Sequence, residues 1–266
     1  MKKRILLKKL KKDVKVLKTV EVLFIMDLTG SMGPYLEQCK KTILKINDRL
    51  KNTLPECEFC WGFLGYRDFE DEEKFVIQNF SRNTDDFKKK IELITVQGGG
   101  DECEDVTGAF EYALQFEWTG QCRVIFFIAD APNHGQKYHE NSNDNYLNQE
   151  IKSDKSLESF IEKVKSKKIF LYLLDINDST KKMFDIICKT YNSYNELSHF
   201  SEFKVKVLNY REINDNIFEQ LIAENLKKSY FISRSNFYSQ ARSFNQNSVH
   251  EGKSKKAILT AAYLVV

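Results

Sequence analysis

The chain predicts an α/β fold: a doubly wound, mostly parallel six-stranded sheet, helices on both faces, and one antiparallel edge strand. Three observations carry this. Apolar runs that stop abruptly at an aspartate recur at residues 22–26 before Asp27, 124–128 before Asp130, and 169–174 before Asp175. Between them lie stretches whose apolar residues return every three or four positions, the period of a helix packed on one face. Strands alternating with such helices imply parallel pairing covered on both sides. The third observation is an exception. Residues 57–68 and 74–80 both read as strands, but only a short acidic connection (Glu70, Asp71, Glu72, Glu73) joins them. That is too short for a crossover helix, so the later strand is antiparallel and lies at the edge.

The elements follow in order. Val22-Leu23-Phe24-Ile25-Met26 has no polar alternation, so it reads as a strand buried on both faces. A helix follows it: Pro34 suits a first helical position, and Leu36, Cys39, Ile43, Ile46 and Leu50 form its apolar stripe. After the hairpin, residues 84–95 carry Phe87, Ile91 and Ile94 on an otherwise charged surface helix. Gly98-Gly99-Gly100 then forms a loop that permits close backbone approach. Asp101 and Glu104 have capping-box spacing, which predicts a helix starting at Asp101, with Val106, Phe110, Ala113 and Leu114 buried. Residues 123–130 are the second strong strand, residues 131–135 its turn, and residues 136–150 a polar loop. Leu157, Phe160, Ile161 and Val164 mark a helix, and Ile169 begins the next strand. Met183, Phe184, Ile186 and Ile187 mark another helix. Residues 197–200 read as a short last strand, and Ile213, Ile217, Leu221 and Ile222 as a final amphipathic helix.

The chain therefore divides into a basic arm or helix at 1–18, an α/β domain at 19–230, and a polar extension at 231–266 that ends in a short apolar segment. The arm carries nine Lys/Arg and one Asp. It suits an anionic surface, a partner, or packing on its own domain. With a net charge of +3, the remainder is near −5, so charge does not mark the domain for nucleic acid. No apolar run reaches the ~20 residues that span a bilayer, and no secretory leader is visible. The six cysteines are scattered, which is expected of reduced thiols in a cytoplasmic protein. Cys57 and Cys60 have CxxC spacing, but on a strand they face opposite sides, and no second pair completes a zinc site.

Chemistry concentrates after the first strand. Asp27, Thr29 and Ser31 place three oxygen-bearing side chains at alternate positions, at the carboxyl end of a central strand, where open α/β sheets bind ligands. A carboxylate and two hydroxyls suit a hard cation such as Mg²⁺ or Mn²⁺. Asp27-Leu28-Thr29-Gly30-Ser31 resembles the DxTGS signature of von Willebrand factor type A domains. Phe63-Leu64-Gly65-Tyr66-Arg67-Asp68, the segment from Gly98 to Val106, and Ala129-Asp130-Ala131-Pro132-Asn133-His134-Gly135 resemble the intracellular members of that family found beside alpha-kinase catalytic domains.

The resemblance implies a Rossmann-like domain with a metal-ion-dependent adhesion site. Asp27, Thr29, Ser31 and Asp130 would hold the ion. The family's usual loop threonine is replaced here by Asp101, with Asp105 or Thr107 as alternatives; for Asp101 a helix cap is the competing role. Tyr66, Asp68, Asp105 and His134 would form a ligand rim. Against that role stand an internal ion pair for Tyr66, Arg67 and Asp68, and a turn hydrogen bond for His134. Asp175 caps a loop. The implied function is divalent-cation-dependent protein–protein interaction, with a protein partner offering an acidic side chain and a kinase-domain protein as associate. The alternative is a non-catalytic scaffold whose metal site no longer recruits ligands. Catalysis is not expected. DLTGS is close to the DKTGT motif of cation-pumping ATPases, but Leu28 replaces the lysine and no phosphate-binding loop or nucleophile elbow accompanies it.

Overall fold

The structure is a computed structural model. It describes residues 19–120, 122–140, 143–147, 153–193 and 204–209. The arm at 1–18, the segment 197–200, the amphipathic stretch at 213–222 and the extension from 231 lie outside the described residues.

Among the described residues six strands form one sheet in the order β3-β2-β1-β4-β5-β6. They are β1 (Thr19–Asp27), β2 (Glu58–Tyr66), β3 (Phe75–Ser81), β4 (Cys122–Ala129), β5 (Ile169–Asp175) and β6 (Lys206–Asn209). All neighbours run parallel except β2 and β3, the expected antiparallel edge. Among the described residues five α-helices connect them: α1 (Gly33–Thr53), α2 (Thr84–Glu92), α3 (Val106–Ala113), α4 (Leu157–Ser166) and α5 (Lys181–Ser193). The sheet winds outward from β1 in one direction and from β4 in the other. The crevice at that reversal, above the carboxyl ends of β1 and β4, is where such sheets bind ligands.

Adjacent residues of β4 show why the central strands are apolar throughout. Phe126 stacks on Phe24 at 5.4 Å and on Tyr172 at 5.1 Å; Phe24 in turn meets Phe87 of α2. Phe127 points to the opposite face and meets Phe110 of α3 at 5.1 Å and Phe184 of α5 at 5.9 Å. Each face buries side chains worth about 1.5–3 kcal/mol apiece. Neither face can therefore turn polar without loss, and the strand ends fall into register behind Asp27 and Asp130.

The last described strand is Lys206–Asn209; the expected strand at 197–200 lies outside the described residues. One expectation is corrected. The helix expected to start at Asp101 starts at Val106, capped by Asp105, whose carboxylate accepts from the Gly108 amide at 2.7 Å. The reason is tertiary. The Glu104 amide donates to the Pro132 carbonyl at 2.9 Å, and Glu104 pairs with Asn133 in a parallel bridge. That contact holds the chain extended where its spacing suggests a helical turn.

Candidate metal centre

The loop after β1 is fixed from both sides. The Leu28 amide donates to the Tyr66 carbonyl, the Leu28 carbonyl accepts from the Gln97 amide, and the Gly30 amide donates to the Gly98 carbonyl. Gly98 lies at φ +82, and a Cβ there would stand 1.9 Å from an Asp71 carboxylate oxygen, so only glycine lets the loop close.

Within this frame a chain of polar contacts crosses the crevice. Asp27 Oδ1 accepts from the Thr29 amide at 2.8 Å and the Thr29 hydroxyl at 2.7 Å. The Thr29 and Ser31 hydroxyls lie 3.2 Å apart, and Ser31 donates to Asp130 Oδ1 at 3.0 Å. Asp27, Thr29, Ser31 and Asp130 thus converge as the sequence suggests. Asp27 is fully buried, yet its Oδ2 has no hydrogen-bond partner. Burial, with the Asp130 charge second, lifts its pKa from 3.8 to about 7. Burial also raises Asp130.

A further member was not foreseen as a site residue. Glu104 is 2% exposed and its Oε2 has no partner. Gly99 separates it from Thr29: a Cβ on Gly99 would lie 3.2 Å from Glu104 Oε1 and 3.3 Å from Thr29 Cβ. Burial, and then the charges of Asp27 and Asp68, push Glu104 up to about 10. In the sequence Glu104 looks like the partner of a capping box; only its pairing with Asn133 turns it toward the crevice. Asp101 lines the same cleft, of about 300 Å³, with Thr29, Ser31, Glu104 and Asp130. It is no helix cap: its oxygens accept from the Cys103 and Asn145 amides.

The expected rim residues point elsewhere and do not line this cleft. Tyr66 is buried behind Asp27. Its hydroxyl is held well above its usual pKa, first by burial and then by the Asp27 charge. Arg67 fastens the hairpin through the Glu73 backbone and carboxylate, not through Asp68. Asp105, besides capping α3, pairs with Lys74 at 2.5 Å. Thr107 is tied to Asn133 through its amide and hydroxyl. Asp175 accepts from Thr180, as a loop cap would. Asp68 and His134 belong to a second cluster. His134 is clamped between Asp68 at its Nε2 (2.7 Å) and Asp144 at its Nδ1 (2.9 Å). Burial opposes its charge, but these two carboxylates outweigh burial and raise its pKa.

The donors of the crevice fit a hard dication. Three buried carboxyl groups face inward, two of them with an orphaned oxygen, and two hydroxyls stand between them. Among the described residues no lysine, arginine or histidine pairs with Asp27, Glu104 or Asp130. Such a set lacks positive charge, and its carboxyls resist ionisation until a cation is supplied.

Comparison with known proteins agrees with the fold. The alpha-protein kinase vwkA of Dictyostelium discoideum is 39% identical over 132 residues, 48% of this chain. The chain spans only 21% of that relative's length. Among solved structures, the PilB minor pilin of Streptococcus sanguinis superposes with a TM-score of 0.50 at 12% identity, over 84% of this chain and 63% of that one. Proximal thread matrix protein 1 of the mussel byssus gives 0.51 at 15% identity, over 79% and 46%. The sequence model of the von Willebrand factor A domain matches residues 21–209, which takes in every strand from β1 to β6 and both sides of the crevice. The chain belongs to the von Willebrand factor A domain family.

Proposed function

We propose that this chain is a divalent-cation-dependent protein–protein interaction module, and that the crevice between β1 and β4 is its metal-ion-dependent adhesion site. The observation that carries the reading is the pair of buried carboxylate oxygens on Asp27 and Glu104 without a hydrogen-bond partner, beside Asp130 and with no cationic side chain paired to them among the described residues. Asp27, Thr29, Ser31 and Asp130 would hold Mg²⁺ or Mn²⁺, directly or through water, since Mg²⁺ retains several waters and prefers oxygen. Bound, the ion supplies a Lewis-acidic position for a carboxylate of the partner. Glu104, which burial and its neighbours push up to about 10 before any cation binds, acts in this reading as the acid that keeps its proton beside the ion. Asp27 and Asp130 then balance the dication, Asp101 stays on the Cys103 and Asn145 amides, and open coordination positions remain for a carboxylate of the partner.

The likeness to alpha-protein kinase vwkA makes a kinase-domain protein a proposed partner, and the cytoplasm a proposed compartment. Among the described residues no helix is long and apolar enough to cross a membrane. The chain performs no reaction of its own in this reading, so a generic aryl phosphate should be left intact.

The test is capture from native cytosol on immobilised chain. Partners should be retained in millimolar Mg²⁺, released by chelator, and lost with Asp27→Asn. Glu104→Gln, which mimics the neutral acid, should retain them. Capture that is indifferent to Mg²⁺ and to Asp27→Asn would instead support a scaffold.

A further inference from the structure

A second cluster adjoins the crevice, where Asp101 comes within 4.8 Å of His134, and has a different donor chemistry. Cys103 Sγ, a ring nitrogen of His134 and a carboxylate oxygen of Asp144 all lie within 4.8 Å of one another. His139 Nε2 reaches the other Asp144 oxygen at 3.1 Å. The four groups are interior: Cys103 is 0%, His134 2% and His139 4% exposed, and the Asp144 side chain 0%. We propose that Cys103, His134, His139 and Asp144 form a structural zinc site.

Sulfur, two imidazoles and one carboxylate are a set that zinc favours and magnesium does not. Cys103, His134 and Asp144 stand close enough together for bonds of about 2.0–2.3 Å to one ion; His139, on the other Asp144 oxygen, would close the tetrahedral shell by turning inward. The surroundings are prepared for it. Asp68 holds His134 Nε2 at 2.7 Å, which leaves Nδ1 facing the cluster. A carboxylate on the outer nitrogen fixes the tautomer and orientation of a metal-binding histidine. Asp144 is held by the Gly135 amide at 2.7 Å and the Tyr146 amide at 2.8 Å. His134, His139 and Asp144 come from one loop after β4, so three ligands are gathered locally, and Cys103 ties them to the Gly-rich loop. Zinc would displace the protons of the Cys103 thiol and of the His134–Asp144 contact, and would lock the wall of the crevice. That wall is already joined by Asp101 to the Asn145 amide and by Glu102 to the Asn143 amide.

Cobalt substitution tests this independently of the adhesion site, which contains no sulfur. The metal-free chain should take up a single equivalent of Co²⁺ with tetrahedral visible bands and a thiolate-to-cobalt charge-transfer band, all displaced by Zn²⁺. Cys103→Ser should lose the charge-transfer band, and His139→Gln the tetrahedral bands. Cys57→Ser/Cys60→Ser and Asp27→Asn should keep both. Asp68→Asn should keep the bands but weaken zinc affinity by about 10–100-fold. No charge-transfer band in the parent chain, or a band that survives Cys103→Ser, overturns the site. Should Cys103→Ser fail to fold, His139→Gln decides alone: unchanged bands overturn the proposal.

Discussion

Glu21 and Asp27 sit on the same strand, both buried, one near each end of the sheet, and their surroundings are opposite. Glu21 accepts from the Thr119 amide at 3.0 Å with each oxygen, and from the Thr119 hydroxyl at 2.7 Å. Asp27 has one oxygen committed to Thr29, while its Oδ2 makes no well-formed hydrogen bond and has only the Tyr66 hydroxyl behind it. Glu21 closes the junction between β1 and the turn before β4, and both of its oxygens find partners within the chain. Asp27 is left with an oxygen for which the described residues provide no well-formed hydrogen bond. Burial alone therefore does not mark a functional carboxylate; burial with an unanswered lone pair does.

The largest expected effect exploits the pKa difference. A carboxyl raised by folding keeps, in the native state, a proton that the unfolded chain releases near its ordinary pKa. For Asp27, native stability should therefore fall as pH rises from 3.8 to about 7. At about 1.4 kcal/mol per unit the total is roughly 4 kcal/mol. Urea unfolding in chelator should show Asp27→Asn gaining on the parent chain across this window. A constant gap between the two would mean that Asp27 ionises like an exposed acid.

Next in size is the response to metal. At a hundredfold excess over Kd, an ion that binds only the folded chain adds about 2.7 kcal/mol, which is about 5–10 °C in Tm for a domain of this size. Mg²⁺ should produce this in the parent chain and in Glu104→Gln, but not in Asp27→Asn. Equal responses from the parent and Asp27→Asn would remove Asp27 from the site.

Glu21→Met should cost about 1–3 kcal/mol, because the Thr119 amide loses its acceptor in the interior, while the Mg²⁺ increment stays that of the parent. If that increment shrinks as well, the two ends of β1 are coupled and the contrast between them fails. Asp105→Ala should have the smallest effect, about 1 kcal/mol for a lost N-cap, again with the Mg²⁺ increment intact. A lost increment there would bring Asp105 back to the rim.

Much of the fold is legible locally. β1, β4 and β5 are buried on both faces, and such strands leave unbroken apolar runs that stop where the chain leaves the sheet. The antiparallel edge is legible because four acidic residues cannot hold a crossover helix. The stripes of α1, α2, α4 and α5 match their buried residues for the same kind of reason: periodicity is a property of neighbours in sequence. Asp27, Thr29 and Ser31 are legible as a group because one loop carries all three, and Asp130 because it ends the neighbouring strand.

What the tertiary structure alone decided lies in contacts across many residues. Asp101 and Glu104 have the spacing of a capping box, yet Glu104 pairs with Asn133, and the helix waits for Asp105. His134 looks like a turn residue, yet it bridges Asp68, sixty-six positions away, and Asp144. Local spacing reports which conformations a segment can adopt at low cost. It does not report which partner a buried polar group will meet, because that partner arrives from another strand end, and the cost of leaving the group unpaired exceeds the preference of a single helical turn. The sequence determined the sheet and one wall of the crevice; the packing of distant loops decided that Glu104 closes it and that His134 does not.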